Sequence, residues 1–155
     1  MKIIGPIENE IITVLNDGSI TYRAKAAIDA DGSGPSHGDP DWQGDTSLHQ
    51  NGQPLNSDTD KYIVVPPAIR DGVKPTILGC QAYVVNITNG AQTEAVVGDV
   101  GPHKKLGEIS IACAKALGIN PSPTSGGVDS HTIHYHIIPG QPAVVDGKQY
   151  QLKPS

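Results

Sequence analysis

The chain has no phenylalanine, one tryptophan and a single methionine, at position 1. Its core has to be filled by Ile, Val and Ala, which suit a pleated sheet better than a helix bundle. Cysteine is nearly as scarce. Cys80 and Cys113 stand in apolar surroundings, with no CxxC spacing and no histidine at metal-ligand intervals, so two buried thiols are expected rather than a zinc site. A bridge between them stays open. Basic residues are outnumbered, 11 Lys+Arg against 16 Asp+Glu, for a formal net charge of −5. That balance argues against a nucleic-acid backbone as partner and suits a cationic ligand. Long apolar runs are missing as well. Nothing approaches the length of a membrane span, and in "MKIIGPIENEIITVL" the acids Glu8 and Glu10 interrupt the stretch that a secretory signal would need.

What is present in quantity is turn formers, 18 Gly and 13 Pro in 155 residues, a length that suits one domain with its own core. "EIITVL" and "SITYRA" flank Asn16-Asp17-Gly18, and "GCQAYVVNI" and "TEAVVGDV" flank Asn89-Gly90; each pair reads as a hairpin around a tight turn. "KYIVVPPAI" is a strand stopped by Pro66-Pro67. "HTIHYHIIPG" alternates His134 and His136 with Tyr135 and Ile137, as a two-faced strand does, and "KQYQLK" suits a last edge strand. From Ile28 to Leu55 no apolar period is visible, which predicts a long ordered loop. One helix is expected, from Glu108 to Leu117, with Ile109, Ala112, Cys113 and Ala116 at helical spacing and Gly118 as its stop. The sum is six to eight short strands and one helix.

Asp99 follows an apolar strand and precedes Gly101-Pro102, and Glu108 comes nine residues later. A loop of that length can fold back and set two carboxylates across one cleft. Such a pair can cleave a glycosidic bond, one as proton donor, the other as nucleophile or as base for a water. Carboxyls about 5 Å apart predict retention, and about 6.5–9.5 Å predicts inversion. Both residues also have ordinary uses, in a turn and in the first turn of a helix. A helix start would moreover favour ionised Glu108, against a role as acid.

Upstream, Asp29, Asp31, Asp39, Asp41 and Asp45 crowd together with no Lys or Arg among them. They suit either a solvated loop or a groove that holds ammonium groups by charge-assisted hydrogen bonds. Gln43 lies among them, and Trp42 and Tyr22 offer flat faces to a sugar ring. "DADGSG" opens like a calcium loop, but Pro40 stands at the twelfth position and flanking helices are missing. His131, His134 and His136 lack a third ligand at a telling interval, so no metal is expected; His134 is a candidate groove residue. Ser110 has no G-x-S-x-G context and reads as a helix residue whose hydroxyl steadies a neighbouring carboxylate.

"GDVGPHKKLGEISIACAKALGI" (Gly98 to Ile119) resembles the active-site segment of the fungal-type chitosanases of glycoside hydrolase family 75, with its Gly-Asp, a turn, then Gly-Glu-x-Ser and an alanine-rich helix. "AIDADGSGPSHGDPDWQGDTSL" (Ala27 to Leu48) resembles that family's D-x-D-G and D-P-x-x-Q-G-x-T segment, and "YIVVP" and "IHYHIIPGQ" occupy the places of two of its strands. The resemblance implies endo-hydrolysis of β-1,4-linked glucosamine in chitosan with inversion. It implies Asp99 and Glu108 as the catalytic pair, no cofactor, a monomer and a secreted protein. The departures are the low cysteine content and the lack of a legible leader. The same segment is similar to that of rare lipoprotein A and the expansins, which implies a six-stranded double-psi β-barrel with one short helix and long loops. Two rivals follow from that likeness: cleavage of another amino-sugar polymer such as peptidoglycan, and glycan binding without hydrolysis.

Overall fold

A computed structural model describes residues 1–73 and 77–153. Twelve strands run in chain order: β1 (Lys2–Ile7), β2 (Glu10–Val14), β3 (Ile20–Asp29), β4 (His49–Gln50), β5 (Gln53–Pro54), β6 (Tyr62–Val65), β7 (Cys80–Asn86), β8 (Gln92–Val100), β9 (Glu108–Ser110), β10 (Val128–Pro142), β11 (Val144–Val145) and β12 (Lys148–Gln149). Helix α1 (Pro67–Gly72) follows β6, and α2 (Ile111–Ala116) follows β9. Six of the strands close a barrel in the order β3, β10, β7, β8, β6, β9 and back to β3. The pairs β3–β9 and β6–β8 are parallel, and the other four are antiparallel.

Both expected hairpins form. Residues 15–19 close β2 onto β3, with the Gly18 N–H bonded to the Leu15 carbonyl at 2.9 Å, and β7 pairs with β8 from Gln81 to Val85. Strand β3 is long because it does two jobs along one edge: its first residues pair with β2, and residues 27–29 pair with β9. The barrel interior follows from alternation. Ile20, Tyr22, Ala24 and Ala26 of β3 and Ile133, Tyr135 and Ile137 of β10 point inward and are buried. In the absence of Phe, tyrosines supply the bulk, and the rings of Tyr22 and Tyr135 stack with centroids 4.9 Å apart. Cys80 and Cys113 are buried, as expected, and no disulfide joins them.

Three elements differ from expectation. Strand β1 pairs with β2 through a turn in which Glu8 and Asn9 both take positive φ, a hairpin without a glycine at its tip. Pro67, expected only to stop a strand, sits at the start of α1, where its missing N–H costs nothing. The single expected helix begins three residues late, because β3 and β6 claim residues 108–110 as a strand before α2 starts. Among the described residues no helix is long and apolar enough to cross a membrane.

Candidate active site

Glu108 is therefore not a first-turn helix residue. It lies in β9, and the N-cap of α2 is Ser110, whose hydroxyl accepts from the Cys113 N–H. The same hydroxyl donates to the Asp60 carbonyl at 2.7 Å and accepts from the Tyr62 N–H at 3.0 Å. Ser110 thus ties backbone groups together and steadies no carboxylate. With Glu108 outside the first turn, the helix dipole no longer argues against its holding a proton.

Val64 of β6 pairs with Glu108 of β9 on one side and with Asp99 of β8 on the other, and Ala27 of β3 pairs with Glu108 beyond. Partners in register point to one face of a sheet. All four residues accordingly line one cleft of about 730 Å³ on the barrel. Asp99 reaches that face because the β6–β8 register slips by one residue at Gly98, the kind of bulge that re-aims a side chain. A side chain at Gly98 would meet Leu55 and Tyr62 at under 3 Å. At Gly101 a Cβ would stand 2.9 Å from Glu108 Oε2, so the bare glycine makes room for that carboxyl.

The two carboxyls have different surroundings. Asp99 is 8% exposed, and its Oδ1 accepts from the Ser47 N–H at 2.9 Å, the Ser47 hydroxyl at 2.8 Å and the Val100 N–H at 2.9 Å. Burial raises its pKa above the usual aspartate value, against the pull of those donors. Glu108 accepts no hydrogen bond from the described residues. Burial also raises its pKa, opposed by the charges of Lys105 and Lys25 and reinforced by Asp99 and Asp31. Lys25 itself pairs with Glu8.

Asp29, at the end of β3, and Asp31 converge on Asp99, with one carboxylate oxygen from each all within 4.8 Å of one another. So close a trio relieves its repulsion by keeping a proton or gathering a cation. Burial first, and then the neighbouring charges of Asp31, Asp99 and Glu108, push Asp29 up to about 8. Burial raises Asp31 too, although its Oδ1 accepts from the Gln43 N–H at 2.8 Å. Tyr62 donates its hydroxyl to the Asp31 carbonyl at 2.8 Å, closing the cluster from below.

The long loop borders the cleft, though it starts after Asp29 because Ile28 and Asp29 belong to β3, and the small β4–β5 hairpin interrupts it; Asp39, Asp41, Gln43 and Asp45 line the wall it forms. Some of these acids also build the loop: Asp39 accepts from the Asp41 N–H, the Asx pattern of ordinary turns, and Asp45 accepts from the N–H of the next residue, Thr46. Three expected groove residues lie elsewhere. Tyr22 points into the barrel and is buried, since its position in β3 is an inward one. His134 alternates to the outer face of β10, beside Arg23 of β3, and does not line the cleft. Trp42, 38% exposed, lies against Gly44 rather than over the cleft. His131 pairs with Glu10. Two cleft residues carried no legible signal. Asp129, seven strand positions before His136, also lines the cleft, and Ser47 holds Asp99 through a contact 52 positions apart in the chain.

No family model matches the chain, and no curated protein does. Among solved structures it is similar to the Streptomyces papain inhibitor, with a TM-score of 0.48 and 17% identity over 76% of this chain and 94% of that one.

Proposed function

We propose that the chain is an endo-acting glycoside hydrolase that cleaves β-1,4-linked glucosamine in chitosan with inversion, Asp99 serving as base for the attacking water and Glu108 as acid. One observation carries it: Asp99 and Glu108 flank Val64 on the floor of a single aspartate-lined cleft. Two strand spacings put their backbones about 10 Å apart, which suits the roughly 6.5–9.5 Å between carboxyls that a water-mediated inversion needs. The surroundings favour the same division of labour. Three donors on one oxygen of Asp99 stabilise an anion. A buried Glu108 without donors keeps its proton more readily, as a general acid must.

Substrate class follows from charge. Among the described residues, Asp29, Asp31, Asp39, Asp41, Asp45 and Asp129 border the cleft against one lysine, Lys105. Such a trough attracts a polymer of ammonium groups and repels an anionic one. The resemblance to family 75 chitosanases in Gly98 to Ile119 and Ala27 to Leu48 points the same way.

The test is release of reducing ends from highly deacetylated chitosan, with the anomer of the first product followed by NMR. The α-anomer is expected at first. Alanine at position 99 or at 108 lowers kcat by at least about a thousandfold while the thermal transition stays within a few degrees. Binding of chitosan without new reducing ends would leave a glycan-binding module instead, and release from peptidoglycan but not chitosan would move the substrate to the cell wall.

A further inference from the structure

Ser47 lies near the end of the Ala27 to Leu48 segment but at no position its pattern specifies, and its N–H and its hydroxyl both donate to Asp99 Oδ1, at 2.9 and 2.8 Å. The Val100 N–H donates to the same oxygen at 2.9 Å. Among the described residues no hydrogen-bond donor reaches Oδ2. Three donors on one oxygen fix the plane of a carboxylate and leave its second oxygen to whatever enters the cleft.

We propose that Ser47 is a positioning residue for Asp99, holding it by Oδ1 so that Oδ2 faces the attacking water. This rests on Asp99 being the base in the reaction proposed above.

Ser47 is itself held in place. The Leu48 N–H bonds to the Gly98 carbonyl at 3.0 Å, which docks the loop on the bulge beside Asp99. Thr46 donates its hydroxyl to the Leu48 carbonyl and accepts from the Leu55 N–H. From the other side, the C-terminal segment brings the Lys153 ammonium to the Ser47 carbonyl at 2.8 Å. The donors are thus set before any substrate arrives. They work against every acidic neighbour. Asp29 from β3, Asp31 and Asp45 from the loop and Glu108 from β9 all bring negative charge toward Asp99, and so favour its protonated form. The hydrogen bonds at Oδ1 are the counterweight.

Two readouts on the full chain test this. The first needs no activity: the Asp99 carboxyl carbon is followed by NMR through a pH titration in wild type, Ser47→Ala and Ser47→Thr. Loss of a donor to an anion moves the midpoint of Asp99 up by about one pH unit in Ser47→Ala, and Ser47→Thr, which keeps the hydroxyl, restores it. The second is the pH profile on chitosan. The acidic limb of kcat/KM moves up with the same midpoint, and kcat falls about tenfold with KM changed less than twofold. An unmoved Asp99 midpoint in a folded Ser47→Ala overturns the proposal, as does a Thr variant that behaves like Ala. If Ser47→Ala does not fold, Ser47→Cys, near in size with a weak donor, is read by the same titration. A shifted midpoint in a protein whose wild type releases no reducing ends upholds the link between Ser47 and Asp99 and refutes the hydrolase reading instead.

Discussion

Asp29 shows how far a side chain can depart from its ordinary behaviour when the fold leaves it little choice. Its carboxyl is mostly buried, lies within 4.8 Å of two others and is pushed up to about 8. A raised carboxyl means that the native state holds a proton which the unfolded chain gives up. Below about pH 4 both states are protonated and nothing is lost. As pH rises from about 4 to 8 the unfolded chain ionises first, so stability falls across that window and levels off above it. Asp29→Asn removes the ionisable group and keeps an oxygen for the Asp31 N–H, bonded at 2.7 Å. Thermal melts from pH 4 to 9 should show the variant gaining on wild type as pH rises, by about 2–4 °C for each kcal/mol at this chain length. A constant gap would mean that Asp29 titrates like a surface aspartate. The residue types at this site were legible in the sequence: the crowding of aspartates and the Asp99, Glu108 pair stand out in a chain with few charges. The convergence of Asp29 and Asp31 on Asp99 was not. Tyr22 and His134 look alike on paper, and alternation sends one into the barrel and the other to its outer face.

At the scale of elements, the segment from Glu108 to Ala116 is the instructive one. Its apolar residues fit a helix throughout, but residues 108–110 find strand partners on both sides and become β9. Periodicity is a local property, whereas a ladder depends on what the rest of the chain brings alongside. Ser110 marks the boundary. It is fully buried, and its hydroxyl serves the Asp60 carbonyl, the Tyr62 N–H and the Cys113 N–H at once. Ser110→Ala leaves buried backbone groups unpaired and uncaps α2, at a cost of about 2–4 kcal/mol. A denaturation midpoint that fell by only a few tenths of a kcal/mol would show that water replaces the hydroxyl. Because β9 carries Glu108, the proposed hydrolysis should also suffer in the variant, with kcat on chitosan reduced more than KM is raised. The hairpins β2–β3 and β7–β8 were legible because their turns and alternation are written within a few residues. Strand β1 was not, since its turn uses Glu8 and Asn9 at positive φ in place of the usual glycine.

For the whole molecule, closure of the six-stranded ring turns sequence distance into proximity. Strands β3, β6, β8 and β9 meet only because the barrel closes, and Ala27, Val64, Asp99 and Glu108 come into one row for that reason. The loop then walls the row, and the C-terminal segment braces that loop through Lys153 on the Ser47 carbonyl. The cleft that results collects the acidic excess of a chain with net charge −5. The attraction for a cationic polymer on which the proposed function relies would be long-ranged and therefore screened. Raising ionic strength from about 0.01 M to 0.15 M shortens the Debye length from about 30 to 8 Å. KM for chitosan should rise severalfold over that range while kcat and the melting temperature hardly move; a KM indifferent to salt would remove charge as the basis of recognition. Composition and local pattern by themselves determined a β-rich domain, two hairpins, a helix ended by Gly118 and an acidic loop of unusual density, because each depends on neighbours a few positions apart. Only the tertiary structure decided that residues 108–110 are a strand, that a bulge at Gly98 aims Asp99 into the cleft and that Ser47 meets it there, since those outcomes depend on strands distant in the chain closing one ring.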